Sequence, residues 1–206
     1  MIRRRTALSF SAATVLVAAP LLTGCGSTPH PGAAAVVGKE RITVSQLQSQ
    51  VADVREAQRS SPEGAQLLAG SAQLGQDTLV RLIQYRIIEQ AGRDNGVEVT
   101  RRELQERRGQ VERVLGGADA VEERFLAAGI APGQIDRELS VGLVRSKLED
   151  KLGKARTGEV LMKTSDSLRV DVNPRYGTWD AKRGTARAAL EPWLRPAAAP
   201  GAEQPA

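Results

Sequence analysis

The sequence predicts a mainly α-helical fold of about five helices, closed by a small two-stranded sheet, on three observations. Aromatic residues make up only 3% of the chain while Ala, Leu, Val and Arg abound. The core must therefore be aliphatic, which suits packed helices better than aromatic-rich strands. Apolar residues recur at helical spacing through most of 45–153, and each run carries its own start or stop signal. Two short segments at opposite ends of that region, 34–37 and 168–172, read instead as strands.

The elements follow in chain order. Arg3, Arg4 and Arg5, with no acidic residue beside them, precede an apolar run from Ala7 to Leu22 that ends in the small residues Thr23 and Gly24. This is the order of a secretory signal, residues 1–24. Pro20 and the polar Ser9, Ser11 and Thr14 leave the run short of the about 20 apolar residues that a membrane span needs. Leu22-Thr23-Gly24-Cys25 resembles the lipobox of bacterial lipoproteins, in which the cysteine is acylated and the chain is cut just before it. The resemblance implies cleavage between Gly24 and Cys25, with Cys25 as the lipid attachment site. Cys25 is the only cysteine, and an unpaired thiol is otherwise an odd thing to export into an oxidising compartment. Removing residues 1–24, with three Arg and no Asp or Glu, lowers the formal net charge from +5 to +2. The pI of 9.8 thus overstates the basicity of the working protein.

Residues 25–33 contain a Pro/Gly stretch that reads as a flexible tether. Ala34 to Val37 reads as a strand, Gly38-Lys39-Glu40 as a turn, and Arg41 to Thr43 as the lead-in to a helix starting near Ser45 and running to about Arg59. Ser61-Pro62 opens a second helix, with Gly70 and Gly75 predicting a break within it and Asn95-Gly96 closing it. Thr100 to Glu103 is a capping box for the third helix, and Asp119 to Glu122 is an acidic variant opening the fourth. Pro132 starts the fifth, which ends at Gly153. Leu168, Val170 and Val172 alternate with charged residues up to Asn173-Pro174, a strand period followed by a stop. The domain is expected to span 34–182, and 183–206 reads as an Ala/Pro-rich, largely disordered tail.

Taken in order, the strand and turn Val36 to Thr43, the helix through Leu79 to Ala91, the link Gly96-Val97-Glu98-Val99-Thr100 and the run Phe125 to Ile130 resemble the N-terminal domain of the SurA and PrsA group of extracytoplasmic chaperones. The likeness covers roughly 34–153. It implies a helical domain whose first strand pairs with one returning from the far end of the chain. The candidate partner is 168–172. Many members carry a parvulin-type prolyl isomerase domain before the returning strand. Here only 154–166 separate Gly153 from Ser167, and the single histidine, His30, lies in the tether. The isomerase is absent.

With the only histidine and the only cysteine outside the expected domain, no Ser-His, Cys-His or His-based metal site can be assembled there. Gly32 to Lys39 mimics a phosphate loop, but its glycine spacing is wrong and Glu40 stands where Ser or Thr is required. Ser146 and Lys147 are adjacent on a helix and point apart. No catalytic residue, metal ligand or cofactor is predicted. In the basic cluster Arg101, Arg102, Arg107 and Arg108, the pairs Arg102 with Glu106, Glu103 with Arg107 and Arg108 with Glu112 stand four residues apart, the spacing of neighbours on an exposed helix face, so no nucleic-acid partner is predicted. In Asn173 to Trp179, Tyr176 and Trp179 have two readings: packing at the core edge, or a peptide-binding edge beside Arg175. The expected function is non-enzymatic, chaperone-like binding of unfolded or translocating polypeptides by a lipoprotein on the outer face of the cell membrane. The alternative is an adaptor or structural subunit docking one folded envelope protein.

Overall fold

In the computed structural model, which describes residues 31–187, the fold is organised around a strand of small residues. Strand β1, Ala33–Val37, has Ala33, Ala34, Ala35 and Val37 all buried. The polar alternation of a half-exposed strand is missing because β1 is the middle strand of a three-stranded sheet and is covered by the helix Leu74–Asp94. Strand β2, Glu40–Thr43, folds back antiparallel on β1 with Val37 opposite Glu40 and Ala35 opposite Ile42. The third strand, β3, is Asp171–Val172, with Ala35 opposite Val172 and Val36 opposite Asp171. Asn173 extends this clamp. Its backbone N–H donates to the Ala34 carbonyl at 2.9 Å and its side-chain amide to the Ala33 carbonyl at 3.2 Å.

The predicted pairing of the two chain ends is therefore present, with two corrections. The sheet has three strands and not two, because Arg41 to Thr43, expected as a lead-in, continues the hairpin and places Ile42 in the core. The returning strand is also shorter than 168–172, since Leu168 still belongs to a helix and Arg169 leaves it in the left-handed conformation at φ 46°. Gly38 sits where these parts meet. Its φ is +62°, its N–H donates to the Leu168 carbonyl at 2.7 Å, and a Cβ there would lie 2.9 Å from Leu168 Cδ2. Only glycine meets both demands.

Seven α-helices occur among the described residues where the sequence predicts five. Helix α1, Val44–Ser60, starts one residue before the expected Ser45, with Thr43 accepting from the Gln46 N–H at 3.0 Å. The predicted second helix is two, α2 (Gly64–Ala69) and α3 (Leu74–Asp94), broken at Gly70 to Gln73 as the glycines imply. Ser61 does not cap α2 directly. Its hydroxyl accepts from the Glu63 N–H at 3.3 Å and tightens the turn before it. Helix α4, Arg101–Leu115, carries the complete Thr100/Glu103 capping box. Helix α5, Ala118–Ala127, starts after Gly117 with Asp119 in its first turn, so the acidic cap expected there is absent. A 3-10 turn at Pro132–Gln134 leads into α6, Ile135–Leu152.

The helix missed entirely is α7, Lys154–Leu168. Its inward face carries Thr157, Thr164 and Ser165, and three polar residues at core positions erase the apolar period by which helices are recognised. The long α3 packs against α1, α6, α7 and β1. The largest core cluster joins Leu79, Leu82, Ile83 and Ile87 of this helix to Ala34, Ile42, Leu47, Val141 and Val172. After a 3-10 turn at Pro174–Tyr176, strands β4 (Thr178–Asp180) and β5 (Thr185–Arg187) form a second antiparallel sheet. This hairpin carries the described structure past the expected boundary at residue 182. Residues 188–206 lie outside the described residues, as do the expected signal at 1–24, Cys25, His30 and most of the expected tether.

Candidate polypeptide-binding groove

The hairpin β4–β5 is bolted to two helices. The side-chain amide of Gln84 on α3 donates to the Gly184 carbonyl at 2.7 Å, and that of Gln76 to the Ala186 carbonyl at 3.3 Å. On the other side the Trp179 indole N–H donates to the Ser165 hydroxyl of α7 at 3.1 Å. Asp180 holds the turn closed. One of its oxygens accepts the backbone N–H groups of Lys182 (3.1 Å) and Arg183 (3.2 Å), and the other accepts from the Arg187 guanidinium at 2.9 Å. Partial burial works to raise the Asp180 pKa, but the Arg183 N–H and the Arg187 guanidinium outweigh it and hold the carboxyl below its ordinary range.

Between this hairpin, α3 and α7 runs a groove of about 360 Å³. Ile87 and Ile88 of α3 and Leu161 and Met162 of α7 give it apolar walls, with Gly158 leaving room beside them. Met162 is 43% exposed. An unbranched thioether adapts its shape to different partners more cheaply than a branched side chain does. A Cβ built on Gly158 meets no atom within 4 Å, so the space in front of it is open.

A second concavity of about 370 Å³ continues the groove along α3, sharing Gln84, Ile88 and Arg145 with the first. It is more polar. Tyr85 donates its hydroxyl to Glu138 of α6, Arg81 lies 3.8 Å from the same carboxylate, and the Arg137 guanidinium stands 5.3 Å over the Tyr85 ring. Burial, then the hydrogen bond to Glu138, push the Tyr85 phenol well above its ordinary pKa, so it stays protonated as a donor. This cluster pins α3 to α6.

Of the residues singled out in the sequence, Tyr176 and Trp179 both pack partly buried against the main core cluster. Neither lines the groove; Trp179 anchors its wall from behind. Cys25 and Gly24 lie outside the described residues. The groove itself was not legible, because its α3 wall is made of Ile87, which is buried in the core, and Ile88, which packs partly buried against that core, so core and groove faces share one apolar period. Among the described residues there is no group of three or more His, Cys, Asp or Glu placed to hold a metal ion, and no helix long and apolar enough to cross a membrane.

These features define a mainly helical domain with the two ends of its helical region joined in one sheet and an apolar groove beside its central helix. Residues 1–113 match the family model described as SurA-like N-terminal domain, and the chain belongs to that family, whose members are extracytoplasmic. The match contains the β1–β2 hairpin, α1 to α3 and nearly all of α4, so α7 and the β4–β5 wall lie beyond it. Neither the curated proteins nor the solved structures yielded a match.

Proposed function

We propose that the protein is a non-enzymatic, chaperone-like binder of unfolded or translocating polypeptide, tethered to the outer face of the membrane by lipid on Cys25. The observation that carries the client-binding reading is the groove lined by Ile87, Ile88, Leu161 and Met162 in a chain of this family. Tethering rests on the signal and on the Leu22 to Cys25 sequence. An extended segment laid along α3 buries its apolar side chains against these walls while its backbone stays open to water, the mode expected of a binder with many clients. Protein produced from residue 26 onward should suppress aggregation of an unfolded client in proportion to its concentration. Absence of suppression together with absence of peptide binding would rule this reading out.

A second reading has its own observation. Leu115, 37% exposed, lines a concavity of about 390 Å³ together with Leu67 and Leu126, and Val114, its neighbour in the chain, is 83% exposed. Such a patch suits docking to one folded envelope protein. Co-purification from solubilised membranes separates the readings. A chaperone brings down many substoichiometric clients, an adaptor one stoichiometric partner.

A further inference from the structure

The charges around the groove are not mixed evenly along it. The hairpin turn contributes Lys182 and Arg183 to the lining, Arg145 of α6 lies where the two concavities meet, and no carboxylate lines the groove. The nearest acids are set back. Glu149 holds Arg145 at 3.1 Å, and Asp180, already engaged by Arg187, is 3.9 Å from Arg183. Lys182 is exposed at the tip of the turn and enters no ion pair among the described residues. In the adjoining concavity Asp77 and Glu138 stand beside Arg81 and Arg145, so the sign is balanced there. The groove is thus apolar along its walls and cationic at one end.

We propose that the groove prefers polypeptide segments in which apolar residues adjoin Asp or Glu, with the acidic part seated at the hairpin. This rests on the client-binding reading above and adds a substrate class to it. Charge complementarity selects the occupant: a lysine-bearing segment would bring a like charge against Lys182 and Arg183 beside low-dielectric walls, whereas a carboxylate there would pair with Lys182. Because the cations are exposed, the preference should act over a short range and yield to salt.

The test uses the full-length protein, purified in mild detergent from a host that exports it, and fluorescent peptides sharing one apolar sequence but bearing Glu, Ser or Lys at the flanking positions. At low ionic strength the Glu peptide should bind on the order of tenfold more tightly than the Lys peptide, and the gap should close as salt is raised to about 0.5 M. Lys182→Glu with Arg183→Glu should reverse the order. Gly158→Leu should weaken all three peptides alike, since its side chain enters open space. Lys182→Gln, with circular dichroism, guards against misfolding of the double variant and should narrow the gap on its own.

Equal binding of the three peptides, or an order unchanged by the double variant, overturns the charge preference and leaves the chaperone reading standing. No binding of any peptide overturns both. Binding to anionic vesicles in place of peptides would make the cationic end a lipid-facing surface and overturn the proposal. So would a self-association, seen by sedimentation, that Gly158→Leu abolishes, or a gain in affinity for all three peptides on removing 188–206. Those outcomes would make the occupant a second copy or the chain's own tail.

Discussion

Glu103 shows how one side chain serves two levels of structure. Its carboxylate accepts from Lys147 of α6 at 2.7 Å while also accepting the N–H (2.7 Å) and hydroxyl (2.9 Å) of Thr100 in the capping box. The sequence suggests Arg107 as its partner by spacing, and the structure gives it Lys147, because the packed helix presents a closer cation; the other two pairs, Arg102 with Glu106 and Arg108 with Glu112, form as spaced. Lys147 first, then the Thr100 N–H and hydroxyl, hold the Glu103 pKa down to about 2 from an ordinary 4.5. A folded-state pKa below the unfolded one stabilises the fold above the unfolded value and ceases to as pH falls. The melting-temperature difference between wild type and Glu103→Gln should therefore be constant above about pH 5.5 and shrink from about pH 4.5 toward about 2. A difference that stays unchanged to pH 2 would mean the carboxylate's charge does not matter. Trp179 gives a second test at this scale. Trp179→Phe keeps an aromatic ring against the core but removes the N–H donated to Ser165, so denaturant unfolding should show a loss of about 1 kcal/mol.

At the scale of elements, the parts legible in the sequence were those with local chemistry. The Thr100 box, the Asn95-Gly96 stop with Gly96 at φ +62° and the glycine break between α2 and α3 each depend on a few neighbouring residues. What stayed hidden depends on distant partners. Helix α7 turns Thr157, Thr164 and Ser165 into the core, and β4 and β5 are three residues each, too short to show a strand period. Their existence follows from Gln76, Gln84 and Ser165, which no local pattern connects to them. The buried face of α7 also carries a testable cost. Thr157 is 1% exposed, and its hydroxyl has no hydrogen-bond partner among the described residues. Thr157→Val replaces an unpaired polar group by a methyl of similar shape, and urea unfolding should show a gain of about 1 kcal/mol. A loss of that size would mean the hydroxyl is hydrogen-bonded through water.

For the whole molecule, the decisive relation is between the sheet that joins the chain ends and the proposed anchor that precedes it. Strand β1 begins at Ala33 and is held on both edges, by β2 and by β3. The seven steps from Cys25 to Gly32 span at most about 25 Å when fully extended. If Cys25 carries lipid, that length confines the groove to a shallow layer above the membrane, where emerging chains are met before they fold, and the sheet transmits the restraint to the whole domain. Anchoring and binding are then separable. Cys25→Ser should move the protein from the membrane fraction to the soluble fraction, or leave the signal uncut, while peptide binding by chains begun at residue 26 stays unchanged, because the groove is built from residues 84–184. Fractionation with an immunoblot for apparent mass reads the first effect and fluorescence anisotropy the second. An unaltered mature form still on the membrane would refute lipidation at Cys25 without touching the groove. Lost binding in a chain begun at residue 26 would show that the first residues belong to the site.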